Sequence, residues 1–205
     1  MRRLYVNVTV LAGLWLAGNV QAAQFYSLRV SHDAGRYEVS ADVYLAAPLP
    51  AVYQVLTDYN HLTRITGAIR RSRVVRRVGA HTVIVFVETR ACALFFCHSI
   101  RQTQQVTEFP PRDIIAKTIA AKSNVKSGSS SWHLYQDGDG TRMHWQMTLT
   151  PDFWVPPLIG PALVEGELRA QGKYTAEGVE KLARERAYLP PLRTTGRHDR
   201  FPQLR

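Results

Sequence analysis

The last stretch of patterned sequence constrains the fold more than any other. From Met143 the residues alternate strictly, with Met143, Trp145, Met147 and Leu149 on one face and His144, Gln146, Thr148 and Thr150 on the other. That is the period of a strand half-buried against a core. A proline-broken apolar connection follows, Pro151 to Pro161, and then a long helical pattern from Ala162 to Ala187. An apolar sheet face covered by one terminal helix can enclose a cavity, and a cavity implies a ligand.

The chain of 205 residues is long enough for one domain with a real core. Its 45% apolar and 20% charged residues place it among globular chains. The start reads as an export signal: Arg2-Arg3 is a basic n-region, Leu4 to Gly18 a short apolar run, and Val20-Gln21-Ala22 a small-residue cleavage pattern. The apolar run is shorter than the roughly 20 residues that span a bilayer. We therefore expect residues 1–23 to be a signal peptide and the mature protein to be periplasmic or secreted. Removing Arg2 and Arg3 leaves 24 basic against 16 acidic residues. A basic surface of this kind is either simply solvated or in peripheral contact with an anionic membrane. No zinc-binding spacing or RNA-reading aromatic motif accompanies it, so no nucleic-acid partner is expected.

Along the mature chain the expected order is strands, a helical pair, a long meander and one long helix. The first strand is Gln24 to Val30, turned by His32-Asp33-Ala34-Gly35 into a second over Arg36 to Ala46. Pro48-Leu49-Pro50 opens a helix on which Val52, Val55, Leu56 and Tyr59 recur at helical spacing. A short helical segment over His61 to Thr66 follows. Five extended segments come next: Ile69 to Val78, His81 to Arg90, Cys97 to Thr107, Asp113 to Lys122 and Ser130 to Gln136. Pro110-Pro111-Arg112 and Asp137-Gly138-Asp139-Gly140 mark turns, and Ser127 to Ser131 reads as a polar turn. From Tyr188 to Arg205 a Pro- and Arg-rich run without periodicity reads as a disordered tail.

This order resembles the helix-grip fold of the START-like (SRPBCC) superfamily, which includes polyketide cyclases, coenzyme Q-binding START proteins and the birch-pollen allergen. The matching residues are Ala47-Pro48 before Val52-Tyr53-Gln54-Val55-Leu56-Thr57-Asp58-Tyr59, then Arg71-Ser72-Arg73-Val74, and Asp139-Gly140-Thr141 at the last strand. The resemblance covers residues 36–187. It implies an α+β domain over 24–187, with a curved antiparallel sheet wrapped around the C-terminal helix and a hydrophobic cavity between them. The superfamily has no universal catalytic residue, so none is assigned here.

The residues proposed to line that cavity are Trp132, Leu134, Met143, Trp145 and Met147 from the sheet, and Leu168, Gly172, Thr175 and Val179 from the helix. Methionine adapts to irregular shapes and tryptophan offers a flat wall, yet the same side chains also suit a filled core. Gly166, Gly172 and Gly178 interrupt the helix at about 1 kcal/mol each. Close packing and room for a ligand both explain them. Leu94, Phe95 and Phe96, with Phe153, Trp154, Leu158 and Ile159, are the candidate rim. Cys92 and Cys97 are the only cysteines; in an exported chain they pair across a hairpin tip at Ala93 to Phe96, the alternative being two buried thiols.

The seven histidines lack metal-ligand spacing, so neither a metal nor a cofactor is expected. Asp58-Tyr59 is either an acid–base pair at the cavity mouth or a helix-end hydrogen bond. Arg70, Arg71, Arg73, Arg76 and Arg77 fit a charge-protected edge strand, or a contact with anionic headgroups. The expected function is binding or carrying a hydrophobic small molecule, a lipid or a quinone-like isoprenoid. The alternatives are a polyketide cyclase or aromatase, and a docking module with a filled core. N-terminal sequencing of the protein recovered from cell fractions should find a start near Ala23 or Gln24; a cytoplasmic chain beginning at Met1 would refute export.

Overall fold

The computed structural model describes residues 23–93, 96–153 and 160–188; the expected leader over 1–23 and tail over 188–205 lie outside them except for Ala23 and for Tyr188, which is the last residue of a helix. The strands are β1 (Gln24–Asp33), β2 (Arg36–Leu45), β3 (Ile69–Arg77), β4 (Thr82–Ala93), β5 (Phe96–Phe109), β6 (Asp113–Thr118), β7 (Val125–Asp137) and β8 (Gly140–Pro151). The helices are α1 (Leu49–Leu56) and α2 (Gly160–Tyr188). All eight strands form one antiparallel sheet in the order β1-β2-β8-β7-β6-β5-β4-β3. It is curved and unclosed, with β1 and β3 at its edges. This is the helix-grip architecture that the family resemblance implies.

Local chemistry explains the turns. Between paired Asp33 and Arg36, Ala34 and Gly35 have φ of 45° and 81°, the left-handed pair that a two-residue hairpin needs. Gly138, at φ 56°, supplies the single positive φ of the two-residue turn between Asp137 and Gly140, as a type II′ hairpin needs. Helix α1 starts where Pro50 falls in the first turn, which needs no N–H there. It ends at Thr57, whose hydroxyl donates to the Tyr53 carbonyl at 2.8 Å. The arginine-rich β3 is indeed an edge strand, and it carries two register shifts that help blunt the edge.

Three segments differ from their sequence patterns. The strand expected over Asp113 to Lys122 stops at Thr118, and Ala120–Lys122 turns as a 3-10 helix. Ser123 stabilises that turn by donating its hydroxyl to the Ile119 carbonyl at 2.9 Å. The segment over His61 to Thr66 shortens to a 3-10 turn at Leu62–Arg64. The serine run is not a turn: β7 begins at Val125 and passes straight through it. Its side chains pair across the sheet, Ser129 with Thr148 at 2.8 Å and Ser127 with Thr150 at 3.1 Å.

Strand β2 joins the two halves of the chain. Its register against β8 sets Val43 opposite Met143, Ala41 opposite Trp145, Val39 opposite Met147 and Tyr37 opposite Leu149. Directly opposed residues share a face, so these side chains all point to the concave side. Val43, Leu45, Leu134 and Met143 are wholly buried there with Val52 and Val55 of α1 and Ala176, Val179 and Ala183 of α2. Each buried aliphatic side chain of Val or Leu size contributes roughly 1.5–3 kcal/mol.

Polar contacts fix the C-terminal half of α2. Glu180 is 4% exposed and accepts the Ala46 backbone N–H at 2.8 Å. Arg186 donates to Asp58, whose other oxygen lies 2.7 Å from His61 Nδ1. Burial alone would raise the Asp58 pKa, but the His61 and Arg186 contacts outweigh it and hold the carboxyl below its ordinary value. The helix-end reading of Asp58 is therefore the one the structure supports.

Burial pushes the Glu180 carboxyl above the ordinary range, against the pull of the Ala46 N–H and Arg184. A raised carboxyl stabilises the fold in its protonated form, and that contribution is lost as pH rises through its folded pKa. Glu180→Gln keeps an acceptor for Ala46 without the buried charge. It should match or exceed the parent's stability at pH 7, and lose that relative advantage in acid. Glu180→Ala should cost about 1–3 kcal/mol by orphaning the Ala46 N–H. Urea denaturation at pH 4 and pH 7 measures both.

Candidate functional site

The register defines a second region of the concave face, bordering the sealed core. Trp145 lies opposite Trp132, which lies opposite Ile114; Met147 lies opposite Ser130, and Ser130 opposite Ala116. Alternation along β5 and β6 brings Gln102, Gln104 and Thr118 to the same face. Trp132, Trp145, Met147, Gln102, Gln104, Thr118 and Ser130 all remain partly exposed. So do Leu168, Gln171 and Thr175 on α2. Leu134, Met143 and Val179, also proposed as cavity lining, are buried members of the core cluster.

The three helix glycines have three different settings. At Gly178 a Cβ would collide with the backbone carbonyl of Ile65, so this glycine serves close packing. At Gly172 a Cβ would sit 3.4 Å from the Trp145 ring and 3.6 Å from Leu28, which is ordinary contact. A Cβ at Gly166 would meet nothing within 4 Å among the described residues. Gly128 of β7 has a further role: a Cβ there would fall 2.7 Å from Thr118 Oγ1 and 2.9 Å from Gln102 Nε2. Its absence leaves room for Gln102 to donate to Thr118 at 2.8 Å.

Polar atoms without a protein partner gather inside. Among the described residues, the buried hydroxyls of Tyr37, Tyr53, Tyr59 and Ser72, Trp145 Nε1 and Gln171 Oε1 make no hydrogen bond. Burial, then the nearby Glu165, raises the Tyr37 phenol. Burial, then Glu108 and Asp113, pushes Tyr53 up to about 12. Burial and Glu108 push Tyr59 higher still. Near neutrality these phenols are therefore proton donors, suited to an oxygen acceptor. Of these phenols the sequence pattern singles out only Tyr59, beside Asp58; Tyr37 sits inconspicuously among the apolar positions of β2, and nothing in the sequence places Gln102 and Gln104 on a face.

The rim residues are divided by what the structure describes. Leu94, Phe95, Trp154, Leu158 and Ile159 lie outside the described residues, as does the Phe96 side chain. Phe153 is described, and its ring stacks on His98 at 3.8 Å. His98 follows Cys97, which is bonded to Cys92 with their Cα atoms 4.0 Å apart as a directly opposed pair. The stem of the disulfide hairpin and the start of the β8–α2 connection therefore meet at His98 and Phe153.

The chain belongs to the polyketide cyclase/dehydrase and lipid transport family, whose model matches residues 36–186. Its fold is similar to that of the Zhui aromatase/cyclase from Streptomyces sp. R1128, at TM-score 0.63 and 16% identity, covering 74% of this chain and 96% of that one. It is also similar to a STAR-related lipid transfer protein from Xanthomonas axonopodis, at TM-score 0.54 and 16% identity, covering 78% and 97%. Human STARD10 shares the fold at TM-score 0.54 and 8% identity, covering 77% and 73%. No curated protein matches the sequence.

The glycine settings predict opposite outcomes for one substitution. Gly178→Ala should destabilise by about 1–3 kcal/mol, as overpacking does. Gly172→Ala should be neutral or stabilising by up to about 1 kcal/mol through helix propensity. Thermal unfolding of both variants checks the contrast; equal losses would refute it.

Proposed function

We propose that this protein is exported and binds a hydrophobic small molecule, a lipid or isoprenoid carrying oxygen groups, between the concave face of the sheet and α2. One observation carries this reading. The concave face is sealed at one end by wholly buried aliphatic side chains, while elsewhere it presents a partly exposed wall of Trp132, Trp145 and Met147. A filled core would bury that wall as completely as it buries Leu134. The family and the fold of the lipid transfer proteins support the same class of ligand. The Tyr37 hydroxyl and Trp145 Nε1 favour a ligand with acceptor oxygens over a plain hydrocarbon, because a buried donor left unpaired costs about 1–3 kcal/mol.

A second reading is cyclase or aromatase chemistry, and one cluster favours it. Tyr53 and Tyr59 present unpartnered phenols close to Glu108, a carboxylate whose strand position faces the core beside Ile114. Phenols and a carboxylate can exchange protons with a reactive carbonyl chain. A carrier is the better reading because these phenols are pushed away from neutrality, where proton exchange would be slow.

Native mass spectrometry of protein purified without detergent, followed by solvent extraction, should recover a hydrophobic adduct. Gly172→Leu should reduce binding of a hydrophobic fluorescent probe severalfold while the fold survives. Undiminished binding in the folded variant would place the ligand elsewhere.

A further inference from the structure

The outer face of the sheet carries a separate groove of about 420 Å³ between β3, β4, β5 and the turn at Ala120–Lys122. Strand alternation separates it from the ligand site: Val74, Val85 and Val87 pack towards the core, while Arg73, Ile84 and Phe86 point the other way. The register sets Arg73 opposite Phe86 and Phe86 opposite Thr103, with Arg76 opposite Ile84. Ile84, Phe86, Val75 and Ile119 supply apolar surface, and Arg73, Arg76 and Lys122 ring it with charge.

Two further facts define what would fit. Among the described residues no carboxylate lies within ion-pair distance of Arg73, Arg76 or Lys122. Glu88 projects from the same face but is held by Arg71 at 3.1 Å. The Arg73 guanidinium lies 5.5 Å from the centre of the Phe86 ring, and Val75 is 45% exposed. The cationic surface also extends past the groove, because Arg90, Arg101 and Lys117 are exposed and share this face by register. A small soluble anion would need only a few of these charges. A broad cationic face with an apolar recess at its centre complements a planar anionic surface better.

We propose that this outer face docks the protein on a membrane rich in anionic phospholipid, with one headgroup seated in the groove between Arg73, Arg76 and Lys122. The site is independent of the ligand-binding reading, since it lies on the opposite side of the sheet. Contact of this kind would weaken with salt.

Cosedimentation of the full chain with vesicles provides the test. Vesicles of phosphatidylglycerol and phosphatidylcholine should bind it, and pure phosphatidylcholine vesicles should not. The triple variant Arg73→Glu, Arg76→Glu, Lys122→Glu should lose about tenfold or more in affinity. A control with the same charge change at exposed sites elsewhere, Arg29→Glu, Lys173→Glu, Lys181→Glu, should stay within about threefold of the parent. Val75→Asn, which leaves the charge intact, should weaken binding severalfold if the recess is occupied. Equal losses in the two triple variants would reduce the effect to diffuse net charge and overturn the proposal. So would equal binding to the neutral vesicles. Saturable binding of inorganic phosphate without vesicle binding would assign the groove to a free anion instead.

Discussion

The arrangement of this protein depends on how α2 is held. Its polar anchors crowd into one half: the Ala46 N–H on Glu180, Asp58 on Arg186, and the Ile65 backbone against Gly178. Ala176, Val179 and Ala183 are buried in that same half. Towards the other end, Arg169 ties α2 to the edge strand through the Leu28 carbonyl at 2.8 Å. The helix is thus fixed firmly over the sealed core and more loosely over the wall of Trp132, Trp145 and Met147. The graded burial of the concave face follows from that asymmetry.

What the sequence made legible followed from periodicity. The alternation in β8 is clean because one face meets the core, and in the structure Met143 and Leu149 of that face are buried opposite Val43 and Tyr37 of β2. The arginines of β3 fit an edge because charge along an unpaired strand discourages a further strand from pairing with it. The two cysteines predicted a hairpin because a bridge five residues apart requires chain reversal, and they form a directly opposed pair.

The less legible parts are those where polarity is not a guide to position. Ser127 to Ser131 looks like a turn, yet serines can tile a strand when threonines oppose them, as Thr148 and Thr150 do here. Gln102 and Thr118 face inwards by register, and Gly128 leaves the space in which they hydrogen-bond, a requirement visible only across three strands. Ala120–Lys122 continues an apolar, strand-like run, but the hydroxyl of Ser123 captures the Ile119 carbonyl and turns the chain. The candidate wall was recognised by residue type; its division into sealed core and accessible surface depends on where α2 is anchored.

The pairing of β2 with β8 also has a bearing on how the chain folds. Strands β3 to β8 form an unbroken meander in which each strand pairs with its sequence neighbour, so loop closure between them is short. The β1–β2 hairpin forms locally too, but it can join the sheet only by pairing across about a hundred residues. Contacts of that separation form late and slow the folding of a domain. The hairpin that comes first in the chain is thus the last part of the sheet able to complete itself. A chain translocated N-terminus first would keep its opening strands unpaired with the sheet until β8 arrived, an ordering compatible with crossing a membrane before it folds.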